Sequence, residues 1–484
     1  MTKRTFSVAL ALLFLNLACA TIVYGVSADQ LVKEGVALRD AGKTSEAIAK
    51  FAEVLKAKPK HSGANFELGQ TYLKVGDPEN AIKFINQALT YGYNEIKARQ
   101  ILVGAYLAAG KTTEAGMELQ VLLDKIPNSP ELYTLHGDLY IQKTGTLYMA
   151  VEEYQKALVI DSLYVPAIVG MGNYYKAKRQ ADSAFAMYEK AIRINAKYPN
   201  AYYNYALLLL EKKQFDKSVA ELNRFIALEP RNPQGYSKLA DVYSKMADVN
   251  PQEKLKYYET AIANVNQSLA LGDTALGTLK FLSFLYRKAS KPAENKDNLK
   301  RILAKAPLEV PIWVELGQTY ARLDSYALAI PCYFRAVSID TAQWTNLAFT
   351  MGFAYYQVNK FDSSVVMFTE KVKRDTMAAG AYINRALAYL QLKKNDAAIR
   401  DFERGLNIQP NYAQGWLWLG QTYHYLGNKP KADAAYRKVI KLEPATSSLN
   451  KEAQKNLKML YQVAQPVEKI DYTDTDYDPG DTLY

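Results

Sequence analysis

Cysteine is almost missing from this chain. There are 2 in 484 residues, Cys19 and Cys332. Cys19 lies in a leader-like N-terminal stretch, so Cys332 is left alone and no intramolecular disulfide can form. Stability has to come from packing, with Cys332 expected as a buried small hydrophobe. Histidine is nearly as rare, with 3 copies, His61, His136 and His424, far apart in the sequence. None has a second metal-binding side chain at i+4. Cys-x-x-Cys pairs, glycine-rich phosphate loops and nucleophile elbows are missing too. The chain is therefore expected to hold no catalytic residue, no metal and no cofactor. Arginine forms no cluster and the lysines are spread through turns, which argues against nucleic acid as a partner.

What is abundant is tyrosine, with 37 copies. Tyr72, Tyr106, Tyr140, Tyr175, Tyr243, Tyr286, Tyr320, Tyr355, Tyr389 and Tyr423 recur mostly 34 or 35 residues apart, with Leu209 in the slot between Tyr175 and Tyr243. A fixed period of this length is the mark of a stacked helical solenoid. The tyrosine has constant company. Trp313, Leu316, Gly317 and Tyr320 are followed by Ala329, Tyr333 and Ala336. Trp416, Leu419, Gly420, Tyr423, Ala432, Tyr436 and Pro444 keep the same spacing. Leu316, Gly317 and Tyr320 share one helix face, and Ala329, Tyr333 and Ala336 share a face of a second. Small residues let the two axes approach, and the aromatics fill the space between pairs. Glycine, aspartate, lysine and proline collect in the turns, as at Gly76-Asp77-Pro78 and Gly427-Asn428-Lys429-Pro430. Pro59, Pro127, Pro230, Pro307, Pro410 and Pro444 close second helices.

This pattern resembles the tetratricopeptide repeat, in which W-x2-L-G-x2-Y is followed by A-x3-F and P. Twelve copies are in phase, starting near residues 28, 62, 96, 130, 165, 199, 233, 276, 310, 345, 379 and 413. The resemblance covers nearly all of the chain after the leader. It implies an all-α fold, a right-handed superhelix (α-solenoid) of helix-turn-helix repeats. Residues 447–465 read as an amphipathic capping helix, with Leu449, Ala453, Leu457, Leu460 and Tyr461 on one face. Repeat seven carries extra residues from Met246 to Tyr257, which either lengthen both helices or project a loop; the surface loop is the plainer reading. Repeat eight has Asn295 where alanine is expected.

The two ends differ from the body. Lys3 and Arg4 precede an apolar run from Phe6 to Leu17, then Val26-Ser27-Ala28. Residues 1–28 thus read as a secretory signal peptide cleaved after Ala28. An uncleaved membrane anchor and lipidation at Cys19 are the alternatives, and only these would bring the chain to a membrane. Residues 466–484 read as an acidic disordered tail, in which Asp474, Asp476 and Asp478 mimic the start of a calcium loop but lack its glycine and terminal glutamate. Net charge is +11 for the whole sequence. Such a body suits acidic partners. Between the ends, residues 29–275 hold repeats one to seven and 276–446 hold repeats eight to twelve.

Proteins that resemble this repeat bind extended or helical peptides on a concave face built from positions two, five, nine and twelve of each first helix. Those positions give Phe349, Phe353, Tyr356, Ile383, Leu387, Leu390, Leu417, Gln421 and His424 in repeats ten to twelve, and Tyr203, Leu207 and Leu210 in repeat six. An apolar lining of this kind is a candidate site for a protein or peptide partner, unless superhelical twist or the cap helix covers it. The carboxylate clamp of chaperone-binding members needs Lys at position five and Asn at position nine. Here Asn173 has Val169, and Lys280 has Phe284. A second pattern is the triplet Asp-Ser/Thr followed by a small or apolar residue. It begins at Asp161, Asp182, Asp273, Asp340, Asp375 and Asp481, six copies where composition gives about one. It resembles the acceptor of periplasmic O-glycosylation in some Gram-negative bacteria, and it also serves as helix-capping turn chemistry. Together these features predict a non-catalytic protein–protein interaction scaffold, exported to the bacterial periplasm or cell envelope and there outer-membrane-associated or free. The alternative is a subunit or assembly factor of an envelope secretion or surface-polymer export machine.

Overall fold

The computed structural model describes residues 27–142 and 145–462. The leader up to Val26 and the residues from Val463, with the calcium-like spacing and the Asp481 triplet, lie outside them. Among the described residues there are 25 helices and no strand. They come as twelve hairpins and one final helix, each hairpin a first helix of typically 13 residues and a second of 14, as in Val310–Arg322 and Tyr326–Ile339. The three-residue turn inside a hairpin needs one residue with positive φ to reverse the chain. Glycine supplies it in five repeats, for example Gly42 and Gly427. In six others Arg179, Lys213, Ser290, Asp324, Asn359 or Lys393 takes that conformation without glycine's freedom. The composition of those turns therefore understates how uniform the hairpin is.

The helices divide into two compact units, one ending at Arg231 and one beginning at Asn232. The first holds repeats one to six and the second holds repeats seven to twelve with the final helix. The sequence places its division at residue 275, after the longer repeat; the compact units part before that repeat. In several hairpins the expected pairing of small and aromatic residues holds. The rings of Tyr154, Tyr188, Tyr333 and Tyr436 are fully buried. A Cβ built on Gly317 would lie 2.4 Å from the Tyr333 ring, and one on Gly172 would lie 2.5 Å from Tyr188. Only glycine lets these helices sit so close.

Repeat seven corrects the surface-loop reading. Its extra residues lengthen both helices, Pro233–Val249 and Lys254–Ala270, to 17 residues each. The added turns bury Ala247 and Tyr258, whose hydroxyl donates to Asp248 Oδ1 at 2.7 Å. Asn295 is also structural. Ser283 stands where a glycine is usual, and its hydroxyl hydrogen-bonds Asn295; both also reach Glu315 Oε1, at 2.9 Å and 3.0 Å. A polar contact thus replaces the small-residue contact of other hairpins. The cap, Ser448–Tyr461, buries Ala453 and Leu460 against Tyr436 and Val439, while buried Asn450 donates to Ile440 O and Glu443 O. Tyr461, expected on the inner face, is 63% exposed and donates to Asp433 instead.

Candidate partner-binding face

The first helices carry the candidate face. The expected lining of repeats ten to twelve separates by depth. Phe353, Tyr356, Ile383, Leu387 and Leu417 are buried, between 1% and 8% exposed. Phe353 packs with Phe368 and meets the Tyr326 ring edge-on at 5.9 Å, and Tyr356 meets Phe361 at 5.4 Å. Large side chains at these positions reach the neighbouring helix and become core, so in this form they are out of a partner's reach. Phe349, Leu390, Gln421 and His424 are half-buried. Phe349 stacks edge-on with Phe368, and Leu390 leans on the core of the last repeats. Gln421 donates to Glu452 Oε1 of the cap at 2.9 Å. The His424 ring meets the Tyr436 hydroxyl at 3.4 Å, and burial with nearby Lys429 pushes its pKa down. In repeat six Leu210 is buried, while Leu207 and Tyr203 are half-buried, Tyr203 against Phe225 at 5.1 Å.

The face is open and charged elsewhere. The first helix of repeat eight, Leu276–Lys288, brings Lys280, Phe284 and Arg287 to positions five, nine and twelve. Phe284 is half-buried at the edge of the core around Tyr258 and lies parallel to Phe281 at 6.3 Å, with Lys288 Nζ 5.5 Å from its ring. Lys280 Nζ pairs with Glu309 at 2.8 Å, and Arg287 Nε lies 3.3 Å from Glu315. Arg287 and Lys288 face solvent. Two parallel rings with one cation beside Phe284 and Arg287 and Lys288 at the surface form a patch suited to an apolar, acidic segment. The sequence register already contains these three positions; the lysine and arginine hid them from a search for apolar lining.

The polar floor of the face comes from the second helices. The Tyr154 hydroxyl donates to Asp138 Oδ1 at 2.7 Å and that of Tyr188 to Asn173 Oδ1 at 2.8 Å. Burial pushes the Asp138 carboxyl up, against the pull of that hydroxyl. Asn173 is thus engaged inside its own hairpin, and Lys280 is engaged with Glu309. Cys332 is buried, donates to Leu328 O at 3.3 Å, and burial pushes its thiol up to about 11. Among the described residues no group of three or more His, Cys, Asp or Glu is placed to hold a metal ion. No described helix is long and apolar enough to cross a membrane.

Paired helices that display faces rather than an enclosed site define a repeat-built interaction protein. The chain belongs to the tetratricopeptide repeat superfamily: tetratricopeptide repeat models match residues 38–98, 175–242, 310–343 and 413–446, and a TPR repeat model matches 386–427. Small glutamine-rich tetratricopeptide repeat-containing protein 2 of Saccharomyces cerevisiae is 31% identical over 104 residues, 21% of this chain and 30% of that protein. Heat shock protein STI1 of the same yeast is 27% identical over 115 residues, 24% of this chain and 19% of that protein. The chain thus spans less than a third of the length of either relative. A tetratricopeptide repeat protein from Parabacteroides merdae aligns with a TM-score of 0.46 at 18% identity, over 53% of this chain and 98% of that one.

Proposed function

We propose that this protein is an exported scaffold that holds an acidic protein segment on its first-helix face, with the repeat-eight helix as the contact centre. The superfamily supplies protein-binding scaffolds, and nothing in the described residues gathers catalytic groups. The observation that carries the finer reading is Phe281 and Phe284 stacked, part-exposed and flanked by Arg287 and Lys288. Export, to the periplasm or cell envelope, rests on the leader-like residues 1–28. Relatives whose names include Hsp70-Hsp90 organizing protein 1 of Glycine max show the repeat at work among chaperones. A chaperone C-terminus is not the partner proposed here, because the Lys–Asn clamp pair does not occur together in either repeat that holds one half of it.

The test is capture from a native envelope extract by the chain from Asp29 and by its Phe284→Ala/Arg287→Glu variant. Phe284 is partly buried against the core around Tyr258 and Arg287 pairs with Glu315, so Lys288→Glu, a change at an exposed residue, is run beside the variant and the melting curve of each is recorded. A partner that is acidic and that the variant loses at least tenfold supports the reading. Equal capture by both proteins sinks it. N-terminal sequencing of the native protein and cell fractionation test the export half separately.

A further inference from the structure

The second helices end in two chemically different ways. Where proline follows the C-cap residue, as at Pro59, Pro127, Pro307 and Pro410, the ring itself stops the helix. In three repeats without that proline an aspartate C-cap is followed by a hydroxyl residue: Asp161-Ser162, Asp340-Thr341 and Asp375-Thr376. The Asp273-Thr274 turn after repeat seven is entered differently, through Leu271 as C-cap and Gly272 at positive φ, and Asp273 Oδ2 also accepts the Ser268 and Thr278 hydroxyls. The aspartate does the same thing each time. Its Oδ1 accepts the backbone N–H two residues on: Leu163 at 2.9 Å, Ala275 at 3.0 Å, Ala342 at 3.0 Å and Met377 at 3.1 Å. Asn195 and Asn232 make the same closure, to Lys197 and Gln234, with Ala196 and Pro233 in the slot of the hydroxyl residue. The turn therefore needs an Asp or Asn oxygen and has no use for the hydroxyl. It also has no use for the apolar residue after it: Leu163 is 60% and Met377 65% exposed.

We propose that Ser162, Thr274, Thr341 and Thr376 are O-glycosylation sites, each presented behind the same aspartate closure as carboxylate, exposed hydroxyl and small or apolar side chain. All four hydroxyl residues are exposed. A transferase would read the shared aspartate closure, which explains why side chains that the fold does not use recur there. The donor is an activated sugar, a glycosyl phosphate ester. The acceptor oxygen forms a bond to the anomeric carbon, the bond from that carbon to the phosphate oxygen breaks, and the phosphate leaves with the electron pair. The hydroxyl proton passes to a base of the transferase. Phosphorylation fits less well, because a dianion would sit beside the aspartate and no basic side chain lies within three residues of Ser162, Thr274 or Thr341.

The fold also supplies a control. Asp182-Ser183-Ala184 matches the triplet, but it lies in the first turn of helix Ala181–Ile194, where Ala184 is completely buried. A bulky glycan is tolerated only on open surface, so Ser183 stays bare. The experiment is intact-mass measurement and site mapping by electron-transfer fragmentation of the full protein from its native source. The expected result is sugar on the four turn residues and none on Ser183. A mass equal to the unmodified chain, a phosphate-sized increment, or equal occupancy at Ser183 overturns the proposal. Asp340→Asn separates reading from folding, since an amide keeps the turn, as Asn195 and Asn232 do. It should abolish sugar at Thr341 with an unchanged melting curve, and retention of sugar there rejects the carboxylate's role.

Discussion

Tyr188 and Tyr333 occupy the same place in two repeats and differ by one hydrogen bond. Both rings are fully buried against a glycine. The Tyr188 hydroxyl donates to Asn173, whereas that of Tyr333 is buried with no partner among the described residues. Removing half of a made bond costs about 1 kcal/mol, while removing an unmet buried donor recovers a desolvation penalty of about 1–3 kcal/mol. Tyr188→Phe should therefore lower the denaturant midpoint, and Tyr333→Phe should leave it level or raise it. Shifts of the same sign for both would show that the hydroxyls do not decide. The ring and its glycine were legible in the Leu-Gly-Tyr and Ala-x3-Tyr spacings, because close approach leaves a compositional trace. The partner of the hydroxyl was not legible. It lies 15 residues away on the facing helix, where Asn173 and Gln318 look alike in register but only one meets the ring's end.

At the scale of the helix, the clearest departure from the repeat is Arg385, which takes the slot that Leu316 and Leu419 fill in repeats nine and twelve. Its guanidinium donates to both oxygens of Asp401, at 2.6 Å and 2.8 Å, and to Thr369 Oγ1 at 3.0 Å. This ties Ala379–Gln391 to Asn395–Ile408 and to Phe361–Arg374 across two repeats. Side-chain exposure is 13% for Arg385 and 10% for Asp401, so each charge depends on the other. Asp401→Ala leaves an uncompensated cation and should cost about 3–5 kcal/mol. Arg385→Leu combined with Asp401→Leu restores an apolar contact and should recover most of that loss. If the double variant is no better than Asp401→Ala in a urea melt, the pair is not the tie. Position in the repeat points to slots such as those of Phe353 and Leu417 but does not give their depth, and both are buried. Register sets which way a side chain points; how far a neighbouring helix covers it depends on the neighbour's side chains.

Across the whole molecule the period of 34 or 35 residues carried most of the fold, since within each unit consecutive hairpins pack on one another and stability sums over neighbours. What the period could not show is where the sum is divided. The unit from Asn232 contains six hairpins, more than the three or so that a solenoid needs to be stable. It begins with its own helix start, Asn232 capping Gln234 N–H and Pro233 in the first turn, and it ends with the Ser448–Tyr461 cap. It has clusters of buried side chains around Tyr258, Tyr333, Phe368 and Tyr436. Residues 232–462 expressed alone should therefore fold, with a cooperative melt and a near-ultraviolet circular dichroism signal from fixed aromatic rings. Shortening that fragment to residue 446 removes Ala453, Leu457 and Leu460 from Tyr436 and Val439. Uncovering that apolar end should lower the midpoint and promote association visible by light scattering. A fragment 232–462 that is helical but lacks the near-ultraviolet signal would refute its independence. One that tolerates loss of the last helix without change would refute the cap.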